Sequence, residues 1–372
     1  MTGPQGGGRT VLFAGGGTGG HLYPGLAIAR TLQRLDPTVQ PFFIGARRGI
    51  ERTVLPGTEF PHLLLDLHPL YRGNPWENWR TIRGALSAWR QLGATARARE
   101  PRLIVGTGGY AAGVALAYAV VHRIPIVQQA GDSYPGLTAR AFRRWTREYY
   151  LAFPEAGGVI GGSASQHVDT GAPIEPPPRP RPDRAAARRA WGFPASGGHV
   201  LLVYGGSQGS RAMNLVVAEW VRRGLPAGLH LIWMTGKASY AEFAPLESDR
   251  VRVREYLSPI ADAYAATDLA LVRAGAMTTA ELFAWQIPAV LVPLPTAAAD
   301  HQTVNARTLE AAGAAIHLPQ SELTVERLDT TVRSLIADPA AMARLAAGAA
   351  ARARPDAAET IARRILAMLD AG

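Results

Sequence analysis

The 372-residue chain has no cysteine. That absence excludes disulfides, thiolate-ligated metals and a cysteine nucleophile, and leaves the redox compartment undetermined. Lysine is nearly missing as well: Lys237 stands alone against a large arginine complement, and the formal net charge is +10. With so much Ala, Gly and Pro beside the arginine, this balance reads as a compositional bias with a solvated basic surface. An anionic lipid or phosphorylated substrate is the other reading. No nucleic-acid-binding signature accompanies the charge, so nucleic acid is not expected as a partner. No apolar run approaches the ~20 residues that span a bilayer. The opening MTGPQGGGRT leads directly into a strand-like VLFA without the plan of a signal peptide, and a cytoplasmic location is expected.

Short apolar runs alternate with Ala/Arg-rich stretches of helical period, the pattern of parallel sheets covered by helices. In the first half the expected strands are Val11–Ala14, Val39–Ile44, Leu63–Leu67, Leu103–Val105, Ile126–Gln128 and Tyr149–Ala152. In the second half they are Val200–Tyr204, Leu229–Met234, Val251–Tyr256, Leu269–Val272, Ala289–Val292 and Ala315–His317. Between the halves, APIEPPPRPRPD is too proline-dense for regular pairing and reads as a stiff linker. The expected organisation is an N-terminal domain over 1–171, a linker over 172–184 and a C-terminal domain over 185–354. A final helix over 355–372 would pack back across the cleft between the domains. Ligands of doubly wound sheets sit at the carboxyl ends of the strands, so the turns there carry the chemistry.

Gly15, Gly17 and Gly20 form G-x-G-x-x-G between a strand and a helix, where backbone N–H groups can approach an anion. Dinucleotide enzymes share this pattern. Here the second strand is followed by Arg47 and Arg48 and not by a ribose-binding acid, which leaves open only an NADP variant of that reading. His21, where the turn becomes helix, is either a base in the cleft or a capping side chain. Gly205-Gly206-Ser207-Gln208-Gly209-Ser210 opens the second half in the same way and lacks the lysine of a nucleotide-triphosphate loop. Its amides and the Ser207 hydroxyl suit a diphosphate. Arg273-Ala-Gly-Ala-Met-Thr-Thr-Ala-Glu281 ends in a carboxylate that either takes ribose hydroxyls or caps a helix. Asp300-His301-Gln302-x-x-Asn305 suits sugar hydroxyls, or else is a solvated helix start, and no ligand cluster points to a metal. The stretch from Leu70 to Leu92 holds Trp76, Trp79 and Trp89 among arginines. It suits an anionic membrane surface, with Trp89 and Leu92 alternatively facing the core.

Taken together, GGGTGGHLYPGLAIA at 15–29, GTGGYAAG at 106–113, GGSQGSR at 205–211, RAGAMTTAE at 273–281 and DHQTVNA at 300–306 resemble the MurG family of peptidoglycan N-acetylglucosaminyltransferases. The resemblance runs from Val11 to about Met368. It implies an α/β, GT-B fold of two doubly wound Rossmann-like domains facing across a cleft. The implied activity is inverting, metal-independent transfer of N-acetylglucosamine, without a cofactor, from UDP-N-acetylglucosamine to the 4-hydroxyl of lipid I. That would make the protein peripheral on the cytoplasmic face of the membrane, touching anionic lipid through Trp76, Trp79 and Arg80.

Carried over by position, the resemblance places Thr18, Gly19, Ser207, Gln208, Gly209, Leu257, Glu281, His301 and Gln302 around the donor. Gly17, Gly20, Gly108, Gly109 and Tyr110 would surround the acceptor diphosphate. His21 is the candidate base, with Asp132 as a second acid–base candidate. Two segments depart from the family. Where it reads His-Glu-Gln-Asn this chain has Gln129-Ala130-Gly131-Asp132, and where it reads Gly-Asn-Pro-Val-Arg this chain has Gly171-Ala172-Pro173-Ile174-Glu175. The donor half thus keeps the pattern more closely than the acceptor half. A paralogue using another polyprenyl-linked or soluble acceptor, or a non-catalytic nucleotide-sugar-binding protein, is the alternative.

Overall fold

A computed structural model describes residues 9–67 and 78–371 of the chain. The chain forms two compact units, one of residues 1–175 with 356–372 and the other of residues 176–355. The division falls inside the proline-rich run, where missing backbone N–H groups prevent ladder pairing. Trp76 lies outside the described residues, as do the side chains of Trp79 and Arg80.

In the first unit, strands β1 (Arg9–Gly15), β2 (Val39–Ala46), β3 (His62–Leu65), β4 (Leu103–Gly108), β5 (Ile126–Ala130), β6 (Thr146–Leu151) and β7 (His167–Asp169) form one sheet. Its order is β3-β2-β1-β4-β5-β6-β7, and every pairing is parallel. Val11, Phe13, Val105 and Val127 point to one face, against Leu22, Leu26 and Ile28 of the helix Gly19–Leu35. Leu12, Ala14 and Ile104 point to the other, against Ala111, Ala115 and Leu116 of the helix Tyr110–His122. Alternation along β1 therefore feeds two cores, as a strand buried on both sides requires. The helices after β1 and β4 leave to opposite faces, which makes the gap between those neighbouring strands a topological switch point.

The last helix, Ala357–Asp370, belongs to this first unit. Its Ile361 and Ile365 are fully buried in the same core as Leu22, Leu26 and Ile28. Such burial contributes about 1.5–3 kcal/mol per side chain. Arg364 reaches Glu148 at 2.5 Å and Arg34 reaches Glu359 at 3.4 Å, flanking that seam with charge. Trp89 rests edge-on against Tyr118 at 5.2 Å, and Leu92 is fully buried, so this end of the tryptophan-rich stretch serves the core.

In the second unit, β8 (His199–Tyr204), β9 (Leu229–Met234), β10 (Val251–Arg254), β11 (Leu269–Val272), β12 (Ala289–Leu291) and β13 (Ile316–His317) form a sheet of order β10-β9-β8-β11-β12-β13. All its pairings are again parallel. The switch point lies between β8 and β11. Trp220 and Trp233 are buried in its core with Leu201, Val203 and Leu271. No described helix is long and apolar enough to cross a membrane.

The strand positions expected from the apolar runs recur, with ends moved by a few residues. One strand is additional: β7, only three residues long and half-exposed, carries His and Asp beside a single apolar residue. A three-residue edge strand with that composition has no apolar alternation to detect.

Candidate active site

In each unit a glycine-rich turn follows the first strand of the sheet's switch point, β1 in the first unit and β8 in the second. In the first unit, β1 ends on Gly15 and its turn runs to Thr18, which stands at the N-cap of the helix Gly19–Leu35. β4 ends on Gly108 and its turn continues through Gly109, with φ of 101° and 79°. The Gly16 N–H donates to the Gly108 carbonyl at 3.2 Å. A methyl group on Gly109 would lie 2.1 Å from the Gly16 carbonyl oxygen. Only glycine permits both this backbone contact and the left-handed φ. Thr138 in turn donates to the Gly109 carbonyl at 3.2 Å, tying in the segment after β5.

Thr18 makes no side-chain cap to its helix. Its hydroxyl instead lies 3.3 Å from His21 Nδ1, which also lies 3.1 Å from the Gly16 carbonyl oxygen. A carbonyl can only accept, so the ring proton of neutral His21 belongs on Nδ1 and the basic lone pair on Nε2. The ring is seated against the β4 turn, since a Cβ on Gly108 would fall 3.0 Å from Nε2. Tyr110, first residue of its helix, covers Gly17, with a hypothetical Gly17 Cβ at 3.3 Å from its ring. Asp132 is half-buried in the loop after β5. Beside it, the amide atoms of buried Gln129 find no partner among the described residues.

Beneath the β1 turn lies Glu51, fully buried and not anticipated from sequence. One carboxylate oxygen accepts from the Gly17 N–H, while the other, Oε2, has no partner among the described residues. Gly16 and Gly49 make the space, because a Cβ on Gly49 would fall 1.7 Å from Oε2. Glycines at 45 and 49 around an acid were the available signal. Burial pushes the Glu51 carboxyl up, against the opposing bonds from its own and Gly17 N–H groups. An acid with a raised folded-state pKa stabilises the fold most when protonated. That contribution fades as pH rises from the ordinary glutamate range, about 4.3, through the raised value. Glu51→Gln is therefore expected to gain stability relative to the parent at pH 8 compared with pH 5. Urea unfolding at both values checks this, and parallel shifts would refute it.

In the second unit, the turn Gly205–Gly209 packs backbone to backbone on the end of β9. A Cβ on Gly209 (φ 75°) would lie 2.1 Å from the Thr235 carbonyl oxygen, and one on Gly236 2.4 Å from that of Gln208. Ser207 and Gln208 are exposed at its tip. Ser210 caps the helix Arg211–Arg223, accepting from Met213 N–H at 3.4 Å. Open amides at a helix start favour an anion.

Arg273, just after β11, is buried at 5% exposure. It donates to the carbonyls of Val292 (3.1 Å) and Pro293 (2.8 Å), to Ser210 Oγ (2.7 Å) and to Gln320 Oε1 (2.6 Å). Burial lowers its pKa to about 10, so it stays charged at neutral pH. The sequence pattern displays this arginine but not its four partners, which come from three other segments.

Glu281 lies in the second turn of the helix Ala276–Ala284. Its Oε2 accepts from the Tyr264 hydroxyl at 2.7 Å, so a tyrosine holds the carboxylate. His301 and Gln302 begin the helix His301–Ala311, and Gln302 Oε1 accepts from Leu294 N–H at 3.0 Å. Buried Asn305 ties this helix to the Ala274 carbonyl at 3.2 Å, after β11. Leu257 is buried, and its N–H points to Met234 Sδ at 3.3 Å, a weak sulfur bond. The structure thus gathers Gly17, Thr18, Gly19, Gly20, His21, Gly108, Gly109 and Tyr110 at one switch point. Ser207, Gln208 and Gly209 border the other.

The sequence matches the glycosyltransferase family 28 N-terminal domain over residues 11–151 and the family's C-terminal domain over residues 200–361. A UDP-N-acetylglucosamine–N-acetylmuramyl-(pentapeptide) pyrophosphoryl-undecaprenol N-acetylglucosamine transferase of Salinibacter ruber is 41% identical over 367 residues, 97% of each chain. The enzyme of the same name from Symbiobacterium thermophilum is 37% identical over 95% of each. Among solved structures, Acinetobacter baumannii MurG superposes with a TM-score of 0.74 at 27% identity, covering 96% of this chain and 99% of that one. A kitacinnamycin glycosyltransferase, at 17% identity and a TM-score of 0.72, shares the fold. With both units matched and relatives above a third identical along nearly the whole length, this chain belongs to the MurG family of N-acetylglucosaminyltransferases, GT-B enzymes of glycosyltransferase family 28.

Proposed function

We propose that this protein transfers N-acetylglucosamine from UDP-N-acetylglucosamine to the 4-hydroxyl of undecaprenyl-diphosphate-linked N-acetylmuramyl-pentapeptide (lipid I), forming lipid II. The observation that carries this reading is the near-full-length relationship to transferases of that name, at 41% identity over 97% of the chain.

The reaction forms a bond from the acceptor 4-oxygen to the anomeric carbon. It breaks the bond from that carbon to the diphosphate, sends the hydroxyl proton to a base and inverts the centre. His21 is that base, supported by the fixed Nδ1–H and the basic Nε2, with Asp132 as the other candidate. Gly17, Gly20, Gly108, Gly109 and Tyr110 surround the acceptor diphosphate. Ser207, Gln208 and Gly209 take the donor diphosphate, where turn amides and the buried Arg273 charge offset the charge developing on UDP. Backbone at Leu257 meets the uracil, Glu281 the ribose hydroxyls, and His301 and Gln302 the sugar. The protein works peripherally on the cytoplasmic face, with Trp76, Trp79 and Arg80 against anionic lipid.

Transfer of labelled N-acetylglucosamine to a short-chain lipid I analogue tests the activity. UDP-N-acetylglucosamine binding without transfer would instead point to another polyprenyl-linked or soluble acceptor, or to a non-catalytic role. The altered segment Gln129–Asp132 is the place where such a change would reside. For the membrane contact, the Trp76→Ala/Trp79→Ala double variant is expected to bind phosphatidylglycerol vesicles at least about a hundredfold less tightly, since each buried side chain contributes about 1.5–3 kcal/mol and about 1.4 kcal/mol is tenfold in affinity. Unchanged cosedimentation would refute the contact.

A further inference from the structure

Behind Glu281 stands a pair of buried phenols with no role in the reading above. Tyr204 is the last residue of β8, immediately before the glycine turn, and Tyr264 lies on the helix Ala261–Ala266. Their hydroxyls are 2.8 Å apart, and Tyr264 also reaches Glu281 Oε2 at 2.7 Å. Both tyrosines are almost fully buried.

The direction of these bonds is determined. An ionised carboxylate only accepts, so the Tyr264 proton goes to Glu281. The Tyr264 oxygen then accepts from Tyr204. Thr278, one helical turn before Glu281 on the same helix face, hydrogen-bonds the Tyr204 oxygen and closes the circuit. Burial, the largest cause, and the nearby negative charge of Glu281 both raise the pKa of each tyrosine, so the phenols remain donors at neutral pH.

We propose that Tyr264, itself held by Tyr204, is a positioning residue that fixes the Glu281 carboxylate for the vicinal diol of the donor ribose. Recognition of the ribose thereby depends on a side chain that never touches the nucleotide. The inference rests on the assignment of Glu281 to the ribose. Because Tyr204 directly precedes Gly205, the circuit also ties the ribose acid to the turn assigned to the diphosphate. A carboxylate anchored through one oxygen loses little rotational freedom when the diol binds, which is the advantage of preorganisation. The packing of Tyr264 on Trp285, with ring centroids 5.9 Å apart, does not require the hydroxyl.

The test compares binding of UDP and 2′-deoxy-UDP by the full chain and by Tyr264→Phe, Tyr204→Phe, Glu281→Gln and Tyr264→Phe/Glu281→Gln. The parent is expected to prefer UDP, and Tyr264→Phe to bind UDP about tenfold less tightly, the scale of a hydrogen bond to a charged group. Its preference for UDP over the deoxy form should shrink towards that of Glu281→Gln. Tyr204→Phe should produce a smaller loss in the same direction. In the Glu281→Gln background Tyr264→Phe should add nothing, whereas a purely structural role would add its full effect. A parent that prefers UDP beside a Tyr264→Phe variant with the same preference overturns the relay alone. A parent without preference overturns the ribose assignment and the relay with it.

Discussion

Replacing His21 by alanine is expected to lower kcat by about 10²–10⁴-fold, the usual contribution of a positioned general base, with little change in the donor KM. Two bonds to one ring nitrogen motivate this. The Gly16 carbonyl at 3.1 Å and the Thr18 hydroxyl at 3.3 Å engage Nδ1, which puts the ring proton there and the basic lone pair on Nε2. The imidazole is also seated on the β4 turn, where Gly108 leaves room for it. The proposed base and the turns proposed for the acceptor diphosphate therefore share one corner of the sheet, and orientation of this kind accounts for much of catalytic rate. Thr18→Val should retain the Gly16 contact and cost far less. Steady-state kinetics of both variants, beside Asp132→Asn, decide the assignment. A full loss in Asp132→Asn with activity surviving in His21→Ala would move the base to Asp132.

For Arg273→Met two effects oppose each other. Methionine removes a buried charge whose desolvation is unfavourable, as the pKa lowered to about 10 records. It also deprives the Val292 and Pro293 carbonyls, Ser210 Oγ and Gln320 Oε1 of their donor. Each orphaned buried acceptor costs about 1–3 kcal/mol, whereas Ser210 can turn its hydroxyl and half-buried Gln320 its amide to new partners, which leaves the two carbonyls. The second effect should win, with a net loss of about 3 kcal/mol in urea unfolding. UDP binding should weaken by about 10–100-fold in addition, because the cation reinforces the end of the Ser210-capped helix that is proposed to hold the diphosphate. Arg273→Lys should recover only part of this, since an ammonium lacks the planar fork that spans carbonyls and hydroxyl together. A variant as stable as the parent that binds UDP equally well would show Arg273 to be dispensable.

Glu51, Arg273 and the Tyr204–Tyr264 pair show why part of the site was illegible in the sequence. Glu51 is 34 residues from the amide it accepts. Arg273 is 63 residues from Ser210, and Tyr204 is 60 from Tyr264. A lone polar residue in a chain carries no record of which distant segment will bury it. Propensity and periodicity report only on neighbours within a few turns. Tyr264 reads in sequence as one aromatic in an alanine-rich helix, and its hydroxyl acquires meaning only beside Glu281. The Trp89–Leu92 segment left a core and a membrane reading open, and the burial of Leu92 with the packing of Trp89 on Tyr118 decided in favour of the core there.

By itself the sequence determined the architecture: apolar runs specified parallel strands, and Gly-rich turns at their ends specified where anions can approach. These properties are local, arising from side-chain alternation and from backbone conformations that only glycine adopts freely. Only the tertiary structure decided that the final helix completes the first unit's core, that His21 carries its proton on Nδ1 and that Glu51 lies under the first turn. The same holds for the tyrosine anchoring Glu281. Each of these depends on the distance and burial of groups far apart in the chain, which exist only once the sheets have formed.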